Sequence, residues 1–263
     1  MSYFHLNLIL KGKLTVCCLL MLPAIPLNAQ REAKQIGDFK ESISLNEHLR
    51  GTKRTLQYRP DGDEFVCVNG KNRYTRALYG SHSPFRVETS DRPVFAFYNN
   101  GRGGNISFKV ILRDGTELAL DCTGHCESRY SAGKRTYYLT DPSWGKGELR
   151  ISVLALADMD GAIWRFSPSN MPKGAILRWQ HGGATGKRLS RNGDMGVDPA
   201  DCFELPVEAT DLVTGELPLQ KEVYLVRGEV PEDYNVRKLY QQAEAASLAL
   251  ASHLKIETPD PYL

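Results

Sequence analysis

GELRISVLALADMDGAIWRFS, residues 147–167, is the stretch that decides the fold class. Gly147–Ala157 and Ala162–Ser167 are two short β-rich runs, and Asp160-Gly161 between them is a hairpin-turn dipeptide. Strands joined this closely pair antiparallel, because a parallel pair needs a long crossover. Asp158 and Asp160 are accordingly read as turn residues rather than as a pair of catalytic carboxylates.

The same pattern repeats outward in both directions. Upstream lie Phe65–Asn69, with Asn69-Gly70 as a further turn signal, then Arg73–Tyr79, Phe85–Glu88, Val94–Tyr98, Asn105–Leu112 and Arg135–Thr140. Downstream lie Ala175–His181, opened by Pro172-Lys173-Gly174, then Phe203–Glu208 and Lys221–Gly228. This makes about a dozen short strands separated by turn signals, with no helical pattern between them. The expected fold is mainly β: an antiparallel, supersandwich-like β-sandwich over residues 55–230. The 23 glycines and 14 prolines suit such a turn-rich chain.

The period changes at Pro231. Val236, Leu239, Tyr240, Ala243, Ala246, Leu250 and Leu254 recur at three- and four-residue steps, which predicts one long amphipathic linker helix over residues 231–257. Pro231, Glu232 and Asp233 suit its first turn. Residues 258–263 (TPDPYL) break the helix and are expected to begin a second domain.

At the other end, residues 1–29 have the layout of a secretory signal peptide. Lys11 and Lys13 precede an uncharged run, Leu14–Pro26, and Ala29 marks the expected cleavage point. That run is too short for a permanent membrane span, and nothing after residue 30 approaches that length, so periplasmic or secreted localisation is expected. Residues 30–54 form a polar leader with a short helical possibility at Asp38–Leu49. Lys and Arg total 33 against 31 Asp and Glu, a near balance that argues against nucleic acid as a partner.

Candidate binding residues fall in two stretches. Trp179–Asp201 (WQHGGATGKRLSRNGDMGVDPAD) lacks apolar periodicity and reads as a long polar loop on a rigid scaffold, with His181, Lys187, Arg188, Arg191, Asp194 and Asp198 as its candidate contacts. NRYTRALYGSHSPFR, residues 72–86, interleaves Arg73, Arg76 and Arg86 with aromatic rings. Strand alternation would put Arg76 on the side of Tyr74, to stack on the ring or hold a carboxylate of an acidic or hydroxylated glycan. Ion pairing of these arginines to Glu88 or Asp91 is the competing reading.

Catalytic motifs do not assemble. There is no G-x-S-x-G elbow, and residues 182–187 (GGATGK) miss the Walker spacing and the helix that would follow it. Beyond the signal lie Cys67, Cys122, Cys126 and Cys202. A Cys122–Cys126 disulfide, free thiols and a Cys122–His125–Cys126 metal site are all compatible with the spacing. No cofactor and no metal site are assigned.

NGKNRYTRALYGSHSPFRVETSDRPVFAFY (69–98), GGNISF (103–108), GGATGKRLSRNGDMGVDP (182–199) and ETPDPYL (257–263) carry a resemblance to domain-of-unknown-function family 4450, secreted proteins of gut Bacteroides-type bacteria. The resemblance runs from about Leu56 to Leu263. It implies an N-terminal sandwich and linker helix that continue into an α-helical toroid of the glycoside-hydrolase kind, so the expected partners are carbohydrate or such a helical domain. It carries over no catalytic residue, and it implies that Arg188, Arg191, Asp194 and Asp198 reach a substrate cleft or the toroid. This chain alone is therefore expected to lack turnover. Two rival expectations are a free-standing glycan-binding module, with a platform drawn from Tyr74, Tyr98, Tyr137, Trp144, Trp164 and Trp179, and a complete glycoside hydrolase using the 179–201 loop.

Overall fold

The computed structural model describes residues 57–80, 85–99, 102–131, 133–188 and 212–252. All of them lie in the unit that runs from Leu56 to Leu263. The first sheet holds seven strands: β1 (Arg59–Asp61), β2 (Glu64–Val68), β8 (His125–Ser131), β9 (Lys134–Thr140), β10 (Glu148–Ala155), β11 (Gly161–Ser169) and β14 (Val223–Gly228), in that spatial order. The second runs β13 (Val213–Pro218), β12 (Ile176–Arg188), β6 (Arg102–Ile111), β5 (Phe95–Asn99), β4 (Arg86–Thr89), β3 (Arg76–Tyr79), and β7 (Glu117–Ala119) also pairs with β6. Every pairing is antiparallel.

Alternation explains why these runs become a sandwich. On β10 and β11 the residues Leu149, Ile151, Val153, Ala162, Trp164 and Phe166 belong to one buried cluster, together with Phe95, Phe97, Ile106 and Phe108 from the second sheet. Their neighbours along the same strands, Leu154 and Ile163, point to the opposite side, where they join Leu156 and Val226 in a second cluster with helix residues. That cluster lies under α1 (Val236–Ala251), which packs on β10, β11 and β14 through Leu239, Tyr240 and Ala243. The first sheet thus carries an apolar patch on its outer face as well, and the helix covers that patch.

The helix begins at Val236, later than the expected start at residue 231. Asn235 Oδ1 accepts from the Lys238 N–H at 3.0 Å and caps the first turn, so Pro231, Glu232 and Asp233 sit in the turn ahead of the helix rather than in it. Residues 253–257 of the expected helix, and 258–263 after it, lie outside the described residues. Leu250, expected on the packed face, is 58% exposed. No helix among the described residues is long and apolar enough to cross a membrane.

Two strand readings need correction. Trp179–Asp201 is not a loop throughout: β12 continues to Arg188, paired with β6 through Gly183 and again at Arg188↔Arg102 after a register shift. The segment from residue 73 is not yet a strand, because Tyr74 takes a positive φ of 53° and pairing begins only at Arg76. Asn69 also has a positive φ (50°) and ends β2, but the turn sends the chain across to the other sheet instead of into a hairpin. The signal peptide, the polar leader and the expected strand Phe203–Glu208 lie outside the described residues.

Candidate functional site

The outer face of the second sheet is the polar one. Register puts Glu88, Ala96 and Asn105 in one row across β4, β5 and β6, with Arg86 and Tyr98 in the neighbouring row. Ser107 and Lys109 continue the same face along β6, opposite Gln180 and Arg178 of β12. Two of these polar residues are deeply buried, Glu88 at 6% and Asn105 at 8% exposure. The sequence signals polarity at these positions but not its burial.

Arg86 and Glu88 form the tightest unit on this face. Arg86 Nε donates to Glu88 Oε1 at 2.6 Å, and the guanidinium lies 4.4 Å from the centre of the Tyr98 ring. Burial pushes the Glu88 carboxyl above the usual carboxylate range, and the Arg86 hydrogen bond and charge pull it partly back. The sign of the linkage follows: a carboxyl raised in the folded state gives stability that is present below its unfolded pKa and is lost as pH rises through the folded value. The Glu88→Gln variant lacks this titration, so its midpoint temperature relative to wild type should climb as pH rises above the ordinary carboxylate range of about 4. Thermal melts of both proteins from that pH upward check it.

A cleft of about 430 Å³ opens at one end of the face. β5 accompanies β6 only as far as Ile106, and β7 begins at Lys109, so the edge of β6 changes partner between them. Around that gap stand Lys71, Arg73, Arg92, Asn105, Ser107, Lys109 and Asp121. Arg92 fixes the walls: Nη1 donates to the carbonyls of Asp121 (3.0 Å) and Thr123 (2.8 Å), and Nε to that of Gly70 (3.3 Å).

The remaining sequence candidates are spread rather than gathered. Arg73 lies 5.1 Å over Tyr74 and donates to its hydroxyl. Arg76 does not stack on Tyr74, as strand alternation predicted; it lies over Tyr58 (5.0 Å) and Tyr130 (5.6 Å). His181 sits on the inner side, 5.1 Å from the Phe97 ring centre, where its Nδ1 accepts from Arg227 Nε at 3.0 Å. This bond leaves the ring proton of a neutral His181 on Nε2. Arg227 also lies 5.1 Å over Trp179, and burial lowers its pKa. Lys187 and Arg188 fall on the last residues of β12, while Arg191, Asp194 and Asp198 lie outside the described residues.

The expected aromatic platform is not there. Tyr137, Trp144 and Trp164 are core residues, Tyr98 is buried on the outer face under Arg86, and Tyr74 and Trp179 are half-buried beneath Arg73 and Arg227. Alternation puts Tyr137 and Trp164 on the inner phase of their strands and hides them there. Cys67, Cys122 and Cys126 are free thiols, Cys202 lies outside the described residues, and no group of three or more potential metal ligands converges among the described residues. Burial pushes the Cys126 thiol up to about 12, whereas Cys122 is exposed beside Asp121, whose charge raises its pKa. An alkylating reagent at pH 8 should label Cys122 readily and reach Cys67 and Cys126 only on unfolding, as read by peptide mass mapping.

A two-sheet antiparallel sandwich, clad by one helix on its first sheet and presenting a polar face with a cationic cleft on its second, is the class of molecule these observations define. In sequence the chain is similar to the family described as domain of unknown function (DUF4450), whose model matches residues 100–229. That match runs from the start of β6 to the end of β14, so the 69–98 motif lies outside it. No curated protein matches.

Proposed function

We propose that this chain is the β-sandwich part of a secreted, glycoside-hydrolase-like carbohydrate-active protein, and that it binds glycan without turning it over alone. The observation that carries this reading is the second sheet's outer face, where Arg86, Glu88 and Asn105 are held against the sheet beside a cleft lined by hydroxyl, amide and cationic groups. Sugars are recognised by such planar, multiply hydrogen-bonding side chains. Hydrolysis needs two carboxyl groups about 5–9 Å apart, one of them commonly with a raised pKa. Glu88 has the raised pKa, but the charged neighbour that shapes it is Arg86 rather than a second carboxylate among the described residues.

The signal-peptide layout of residues 1–29 supports the exported part of this reading, in which the linker helix leads toward a helical domain of the glycoside-hydrolase kind. To test the reading, the purified chain is run in affinity gels containing soluble polysaccharides, and the same mixtures are assayed for new reducing ends. Retardation without release of reducing ends is expected. Release by this chain that disappears in Glu88→Gln overturns the non-catalytic reading.

A further inference from the structure

We propose that the cleft between β5, β6 and β7 recognises a negatively charged sugar, one bearing a carboxylate or a sulfate ester. The inference rests on the carbohydrate-binding reading above and adds the chemical class of the ligand. Four cationic residues, Lys71, Arg73, Arg92 and Lys109, line the cleft against a single carboxylate, Asp121. The chain as a whole is nearly neutral, with a net charge of +2, so the concentration of positive charge here is local.

Three of the four cations have separable tasks. Arg92 spends its donors on the carbonyls of Gly70, Asp121 and Thr123, and so holds the turn before β5, the loop after β2 and the turn after β7 in one arrangement. A wall fixed in advance costs no ordering entropy when a ligand arrives. Lys109 meets Glu117 at 3.4 Å with both side chains about half exposed, a pair that solvent screens to little net value. Lys71 is exposed and makes no ion pair with a described residue. Lys71 and Lys109 are therefore available to an incoming oxyanion at small cost, and Asn72, Asn105 and Ser107 present amides and hydroxyls to the sugar ring's own hydroxyls.

The volume of about 430 Å³ lies within the range of small-ligand sites and suits a sugar unit of a longer chain entering from the open side. A nucleic acid would demand a cationic stripe that follows many phosphates, and here the positive charge is gathered in one cleft.

The test is affinity electrophoresis and titration calorimetry of the whole chain with polygalacturonate, chondroitin sulfate, neutral galactan and a DNA duplex. Each is measured at about 50 mM and about 500 mM salt, where screening separates ionic from neutral binding. The variants are Lys71→Glu/Lys109→Glu and, as a control far along the chain on an exposed turn, Lys146→Glu. All are exposed positions, and thermal melts verify that each variant is folded. The expected result is binding of an acidic glycan that falls at least about 10-fold in the double variant, weakens with salt and is unchanged in Lys146→Glu. Binding of polygalacturonate shows that a carboxylate suffices, and preference for chondroitin sulfate, which carries both groups, points to the sulfate ester. Equal binding of galactan, insensitive to the double variant, overturns this inference while leaving the carbohydrate-binding reading intact. DNA bound as tightly as the glycans overturns it too, as a mere polyanion surface. A folded chain that binds no glycan sinks both readings.

Discussion

Replacing Asp91 with alanine is expected to cost about 3–5 kcal/mol, a large part of the 5–15 kcal/mol that holds a typical domain together. Asp91 is fully buried between the end of β4 and the start of β5, and its Oδ1 lies 3.8 Å from Nη2 of Arg135, which is also fully buried. The carboxylate accepts from the Tyr58 hydroxyl, from Thr75 Oγ1 (3.2 Å), from Gln57 Nε2 (2.6 Å) and from the Asn72 N–H (2.8 Å). Arg135 Nη2 in turn donates to Tyr58, Ser128 and the Ser90 carbonyl, and its guanidinium lies over the rings of Tyr58 and Tyr137. Removing the carboxylate strands a desolvated cation and four donors at once. The pair is costly to break but contributes little as a pair, so the double variant Asp91→Ala/Arg135→Met should recover much of the loss. Urea unfolding measures both, and an Asp91→Ala protein within about 1 kcal/mol of wild type at unchanged m value contradicts the account.

That network also accounts for the strand the sequence hid. β8 (HCESRYS) has no apolar alternation, because its inward residues Cys126 and Ser128 serve the polar cluster: Ser128 Oγ accepts from Arg135, and Cys126 Sγ faces the Asp91 carbonyl. β1 and β13 were invisible for the opposite reason. They are sheet edges whose residues are largely exposed, so no face needs to be apolar. Arg135 itself left a readable sign, since it shares the buried phase of β9 with Tyr137 and Leu139, and a charge in that phase needs a partner.

The candidate site was legible in composition and not in geometry. Arginines interleaved with tyrosines were recognisable between residues 72 and 86, but only Arg73 meets a ring of that stretch, Tyr74: Arg76 meets Tyr58 and Tyr130, and Arg86 meets Tyr98. Local period carries no information about such long-range pairs. Lys71, Lys109 and Asp121 lie far apart in sequence and meet only because β7 folds back on β6 beside the start of β5. Glu88 and Asn105 occupy polar phases of their strands, which on sequence grounds belong in water, yet both are buried.

Trp164 sets the second large expectation, and it tests the packing that carries the polar face. The Trp164→Ala variant should lose about 3–5 kcal/mol, because the side chain is fully buried and the space it leaves cannot collapse among rigid rings. Phe95, Phe97 and Phe108 surround it edge-on or tilted, with centroids at 5.6, 5.7 and 6.0 Å. Trp164→Phe is the sharper probe. The indole Nε1–H is buried without a hydrogen-bond partner among the described residues, so phenylalanine removes an unmet donor as well as volume. An unmet donor costs about 1–3 kcal/mol, which should offset much of the smaller ring's lost contact and leave Trp164→Phe near wild type. Phe95 and Phe97 alternate on β5 with Ala96 and Tyr98 of the outer face, so loosening one side of that strand loosens the other. Trp164→Ala should accordingly weaken glycan binding as well as stability, whereas Trp164→Phe should spare both. Denaturant unfolding together with the same affinity gels reads the two effects, and a Trp164→Phe protein as unstable as Trp164→Ala would refute the unmet-donor argument.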